Sequence, residues 1–188
     1  MAPSLELQLK RRGSKQLLEV RRRVDQFTLS GFAFAFSSSL ILLHRFDWDS
    51  FRLIGYTVIR KRDITEYRFL DEAGAWQTRA LKRFKVQPKV PRSISVQSFF
   101  DLFVTLGKRY PLVTIHRELV RPDVCWIGSV VKVAMDRLTI YELDSNCEWV
   151  RCRAFPFREI TRVDFDGPYE QALGVTARKK PRLKKKPA

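Results

Sequence analysis

A chain of 188 residues has room for one ordinary domain or two small ones. Its 45% hydrophobic content excludes wholesale disorder. A formal net charge of +16, from 36 Lys and Arg against 20 Asp and Glu, favours polyanionic partners, nucleic acid ahead of an anionic membrane.

In chain order, residues 1–14 read as a flexible N-terminus, and "MAPSLELQLKRRGSKQ" lacks the long apolar run of a secretory signal. The uncharged stretch from Gln26 to Leu43 falls short of the roughly 20 apolar residues that a spanning helix needs. Phe32, Phe34 and Phe36 alternate with Ala33 and Ala35, the period of two that marks a strand. Residues 15–70 therefore read as five short strands: "LLEVRRRVDQF", 31–36, 40–46, "YTVIR" and "ITEYRF". Residues 71–108 read as a helical, Pro-rich connector. "DEAGAWQTRALKRF" is rich in helix formers and offers Trp76, Leu81 and Phe84 as an apolar face. A second helix is expected from a Ser95 cap, with Val96, Phe99, Phe100, Phe103 and Leu106 as its stripe and Gly107 and Pro111 ending it. Residues 109–175 return to short strands and close on a short helix. Residues 176–188 read as a disordered basic tail.

The second strand set repeats the first. "KRDITEYRF" (61–69) matches "FREITRVDF" (157–165), with Ile64 and Thr65 beside Ile160 and Thr161. Upstream, Leu40 falls beside Leu138, and Gly31 beside Gly128. The break between "YTVIR" and "ITEYR" is too short for a crossover helix, which excludes a parallel βαβ arrangement. The expected fold is mainly β with helices (α+β): two tandem small Sm-like or SH3-like β-barrels joined by a helical linker, each closing its own edges.

"GYTVIRKRDIT", "RYPLVTIHRE" and "ITRVDFDGPYEQAL" resemble a family of uncharacterised bacterial proteins, over most of residues 20–175. The resemblance implies the same tandem barrel layout. It carries no established catalytic residues.

Four groups of residues invite chemistry. In "TIHRE", His116 and Glu118 share one strand face, as a general base and its partner would, but no nucleophile accompanies them. The bland reading, a strand with ion pairing, is preferred. Asp164 and Asp166 are spaced as two carboxylates of a metal site or an acid–base pair could be. Yet "DGPYE" also reads as a helix start, with Gly167 as cap and Pro168 at the first position. Trp48, between Arg45 and Arg52, and Trp149, before Arg151 and Arg153, stand in loops where an aromatic stacks on a base or folds back over a core. The tail "RKKPRLKKKPA" holds Arg178, Lys179, Lys180, Arg182, Lys184, Lys185 and Lys186 and no acid.

Cys125, Cys147 and Cys152 have no framework spacing and read as reduced thiols of a cytoplasmic protein. With only His44 and His116 as histidines, no metal site is expected, nor a cofactor. The function read from these residues is non-enzymatic nucleic-acid binding, RNA before DNA and mainly electrostatic, through the barrels, Trp48, Trp149 and the tail. The alternative is an adaptor for an unknown protein partner, with an incidental tail. No membrane span is expected.

Overall fold

The computed structural model describes residues 5–12, 17–25, 28–70, 76–91 and 93–181. The chain opens with helix α1 (Leu5–Arg12), within the expected flexible N-terminus, and α1 buries Leu9. Strands β1 (Leu17–Arg22), β2 (Leu29–Phe36), β3 (Leu40–Asp47) and β4 (Arg52–Arg60) follow, and a 3-10 turn (Lys61–Asp63) leads into β5 (Ile64–Phe69). Helices α2 (Trp76–Arg83) and α3 (Phe99–Arg109) form the connector. The second set is β6 (Val113–His116), β7 (Cys125–Val133), β8 (Arg137–Leu143) and β9 (Trp149–Pro156), then a 3-10 turn (Phe157–Glu159), β10 (Arg162–Phe165) and α4 (Pro168–Thr176).

All strands join one antiparallel sheet of ten, in the order β5-β1-β2-β3-β4-β10-β6-β7-β8-β9. This corrects the expectation of two separate small barrels. The repeat is real in its internal order, since β5-β1-β2-β3-β4 is answered by β10-β6-β7-β8-β9. What fails is closure of each unit on itself. The second edge of β4 is taken by β10, with Val163 opposite Val58 and Phe165 opposite Tyr56. The physical reason lies in β4, buried without interruption from Gly55 to Arg60. A strand covered on both faces behaves as a central strand and needs a ladder on each side. In β10, Val163 and Phe165 supply apolar side chains that fit such a place, whereas β5 carries exposed Thr65, Glu66 and Arg68 and stays at the rim.

The repeat extends to irregularities. Bulges fall between Ala33 and Ala35 and between Val130 and Lys132, and again between His44 and Phe46 and between Tyr141 and Leu143. Each bulge bends its strand and tightens the local twist. Gly31 and Gly128 share a reason as well. A Cβ on Gly31 would lie 2.6 Å from the His44 carbonyl oxygen, and one on Gly128 would lie 2.2 Å from that of Tyr141.

The largest core belongs to neither repeat alone. Leu40, Leu42, Tyr56 and Val58 from the first set pack with Val113, Ile115, Phe155, Ile160, Val163 and Phe165 from the second, under Leu102, Phe103 and Leu106 of α3. The α3 cap is Ser98, not Ser95: its hydroxyl accepts from the Asp101 backbone N–H at 3.1 Å. Gly107 lies inside the helix, where an added Cβ would crowd Val130 at 3.0 Å, so close packing, not termination, explains that glycine. Leu9, Leu18, Val20, Ile41, Leu43 and Ile59 form a second core inside the first strand set.

Candidate nucleic-acid interface

Both tryptophans expected in loops fold back over apolar surface, Trp48 from the loop after β3 and Trp149 from the first position of β9. The Trp48 indole donates to Ser30 Oγ at 2.9 Å, and its ring meets Phe46 edge-on at 4.9 Å. Trp76 covers it from α2 at 5.7 Å. Trp149 leans on Tyr141 at 5.5 Å and donates to the Arg178 carbonyl at 2.7 Å. Three of the four arginines expected to flank an open ring are engaged elsewhere, and the fourth, Arg52, is exposed at the start of β4. Arg151 and Arg153 both reach Glu142, at 3.5 and 2.9 Å, and Arg45 turns toward Asp164 at 3.9 Å.

The start of the basic tail is tethered. Besides the Trp149 bond, Arg178 Nε lies 3.6 Å from Glu148, and Lys180 donates to Ser129 Oγ at 2.9 Å. Lys179 is exposed. Arg182, Lys184, Lys185 and Lys186 lie outside the described residues.

An aromatic surface does exist, one helix away from Trp48. Trp76 is 57% exposed and Phe84 67% exposed, although the 3.6-residue pattern assigns both to a buried face. Only Leu81 of that trio turns inward, against the small core of Leu17, Phe32, Phe46 and Leu70. Phe51 supports the surface from below, 4.8 Å from Phe84 and 6.0 Å from Trp48. Phe51 adopts a left-handed backbone, φ 53°, uncommon for a bulky residue. From Trp76 to Pro91 the sequence holds the cations Arg79, Lys82, Arg83, Lys85 and Lys89 and no Asp or Glu. That acid-free run around two aromatics is the signal that a sequence offers for such a surface. Pattern reading misses it because Trp and Phe on a short helix usually mark a core.

The catalytic candidates His116, Glu118 and Asp164 come together in one charge network. Where β4, β10 and β6 meet, one sheet face carries Thr57, Asp164, Arg162, Thr114 and His116. Of these, Asp164, Thr114 and His116 line a cleft of about 340 Å³ with Arg45, Cys125 and Glu170. Thr57 donates to Asp164 Oδ1 at 2.5 Å, and His116 Nε2 lies 3.1 Å from Asp164 Oδ2. Arg162 Nη2 sits 3.2 Å from His116 Nδ1. The same Arg162 nitrogen lies 3.1 Å from His116 Nε2, so the guanidinium sits over the imidazole while the carboxylate meets its edge. Burial alone would raise the Asp164 carboxyl, but the His116 bond and the Arg162 and Arg45 charges outweigh it and hold it well below the usual carboxylate range. Desolvation pushes the Cys125 thiol up, away from the reactive thiolate. Asp166 stands apart, bonded by Gln171 at 3.0 Å beside the Gly167 cap and Pro168 of α4. The two aspartates do not form a pair.

The same charges continue across the molecule. Glu118 meets Arg162 at 3.4 Å and accepts two bonds from Arg22, at 2.8 and 2.9 Å, while Arg22 also holds Asp25. The Arg22 side chain is fully buried. Desolvation would lower its pKa, but the bonds to Asp25 and Glu118 reverse the sign and raise it. This alternation of charge links β1 to β10 and to the turn after β6. Among the described residues, no cluster of His, Cys, Asp and Glu suits a metal ion, and no helix is long and apolar enough to cross a membrane. Comparison with family models, with curated proteins and with solved structures gave no match.

Proposed function

We propose that this protein is a non-enzymatic nucleic-acid-binding protein that holds single-stranded RNA or DNA on the surface of α2 and the segment after it. The observation that carries the reading is the pair of exposed rings, Trp76 and Phe84, within a run of five cations and no acid. Every base has a π-face, so such a platform takes bases without reading their edges, at about 1–3 kcal/mol per stacked base. The cations follow the phosphates and make binding fall with salt. The net charge of +16 draws polyanions to the molecule as a whole. The tail adds further phosphate contacts beyond its tethered start. Lysines dominate it, and they act as point charges with little base preference.

The test is fluorescence anisotropy with a labelled mixed-sequence 20-mer RNA at two salt concentrations. W76A/F84A should weaken binding at least tenfold at both salts. Truncation after Ala177 should flatten the salt dependence, because about 0.7 of a unit of log–log slope is lost per phosphate contact on a single strand. Absence of binding by the full chain at low salt overturns the proposal and leaves the protein-adaptor reading.

A further inference from the structure

The repeated 3-10 turns converge on a pocket that the α2 surface does not use. The Ser37–Ser39 turn between β2 and β3, the turn at Lys61–Asp63, the turn at Phe157–Glu159 and the first residue of α3 enclose a cavity of about 440 Å³. Its walls hold Arg60, Arg62 and Arg158, the hydroxyl residues Ser38 and Ser39, and the rings of Phe99 and Phe157, with no carboxylate among them.

Arg60 is the unusual member. Only 4% of it is exposed. Its Nε donates to Asp63 at 2.6 Å and its Nη1 to the Arg158 carbonyl at 3.0 Å, but its buried Nη2 has no hydrogen-bond partner. A guanidinium nitrogen left unbonded in a protein interior is costly, and native structures tolerate few. Asp63 does not neutralise the pocket, because it is shared with Arg23 at 2.6 Å. Arg62 and Arg158 are exposed at the mouth, and neither has a carboxylate within ion-pair distance among the described residues. Three arginines therefore line one cavity, with Asp63 shared between Arg60 and Arg23 and the exposed Asp136 beyond ion-pair distance of Arg158. Guanidinium forks match the oxygens of a phosphate two at a time, and serine hydroxyls supply further donors.

The opposite wall has different chemistry. Phe99 and Phe157 lie 5.8 Å apart with ring planes 30° from parallel, and Phe157 is backed by Phe103 at 5.8 Å. Phe99 and Phe157 are both only partly buried, while Phe103 is sealed in the core. A rigid aromatic wall next to a phosphate-seeking cluster fits a ligand that joins a planar ring to a phosphate. The volume lies within the range of about 300–1,000 Å³ usual for small-molecule sites.

We infer that this pocket binds a nucleotide unit, its phosphate held by Arg60, Arg62 and Arg158 and its base laid against Phe99 and Phe157. The unit is either a free mononucleotide or one nucleotide of a strand. The inference does not rest on the α2 surface, since no residue is shared.

Isothermal titration of the full chain with adenosine 5′-monophosphate, adenosine and inorganic phosphate tests it. The monophosphate should bind at least tenfold more tightly than either fragment. R62A/R158A, two exposed positions that leave the Arg60–Asp63 bond in place, should lose at least tenfold in affinity with an unchanged circular dichroism spectrum. W76A/F84A should bind the monophosphate as the parent does, which separates this site from the α2 surface. Competition by an oligoadenylate that displaces the monophosphate identifies a strand as the source, and retention of the monophosphate identifies the free nucleotide. No heat with the monophosphate, affinity no greater than for phosphate alone, or undiminished binding by R62A/R158A would each overturn the inference.

Discussion

The first and second strand sets spell the same turn and put it to different use. Ile64 follows its 3-10 turn with φ −74° and ψ 121°, and Ile160 follows its own with φ −73° and ψ 121°. Phe51 and Cys147, ninety-six positions apart, both adopt left-handed backbone before the next strand. Local conformation is thus nearly identical. Surroundings are not. Ile160 is sealed in the main core beside a central strand, whereas Ile64 packs at the edge of the smaller core and begins a rim strand. Asp63 is buried under Arg60 and Arg23, while Glu159 at the matching place pairs with a partly exposed Arg117. A short sequence phrase can specify a turn completely and say nothing about which strand will lie beside it.

The largest contrast concerns two ion pairs of β1. Arg22 is fully buried and bridges to Glu118, whereas Arg68 is mostly exposed in its bridge to Glu19. Arg22→Ala should destabilise by about 3 kcal/mol, because Asp25 loses its guanidinium partner and Glu118 keeps only Arg162 at 3.4 Å as a counter-charge. Arg68→Ala should cost about 0–1 kcal/mol. Urea unfolding of both variants checks this, and equal losses would mean that Arg22 does not tie the strand sets together.

The isoleucines come next. Ile160→Ala should cost about 2–5 kcal/mol through the cavity it leaves, and Ile64→Ala about 1 kcal/mol. A larger loss at Ile64 would reverse the assignment of rim and centre.

A further contrast is a pH dependence that His44 brings to the first set. His44 stacks on Tyr56 at 4.3 Å and accepts from the Lys89 N–H at 3.1 Å. Burial lowers its pKa to about 4, from an ordinary value near 6.5. The unfolded chain therefore binds a proton that the native imidazole refuses, and stability should fall as pH drops from about 6.5 to about 4. His44→Phe should remove that slope in thermal melts. Asp63, Glu118 and Asp164 have lowered values, so their stabilisation is present above the ordinary carboxylate range and is lost only as pH falls below it. A slope unchanged between pH 6.5 and 4 would show that His44 is not its source.

The internal repeat, most of the strands and the α4 start at Gly167 and Pro168 were legible from residue pattern, because bulges, turns and caps depend on neighbours in the chain. The charge and the basic composition of the tail were equally open to reading. Two things were decided only in three dimensions. One is the pairing of β4 with β10, which turns two repeats into one sheet: a free strand edge accepts any antiparallel partner, and only burial on both faces selects one. The other is exposure. Trp48 and Trp149 carry the signature of stacking residues and are folded back, whereas Trp76 and Phe84 carry that of a core and face solvent. An eight-residue helix can turn any side outward, and its anchoring through Leu81 and through Thr78, which donates to the Leu70 carbonyl, set which rings remained in water.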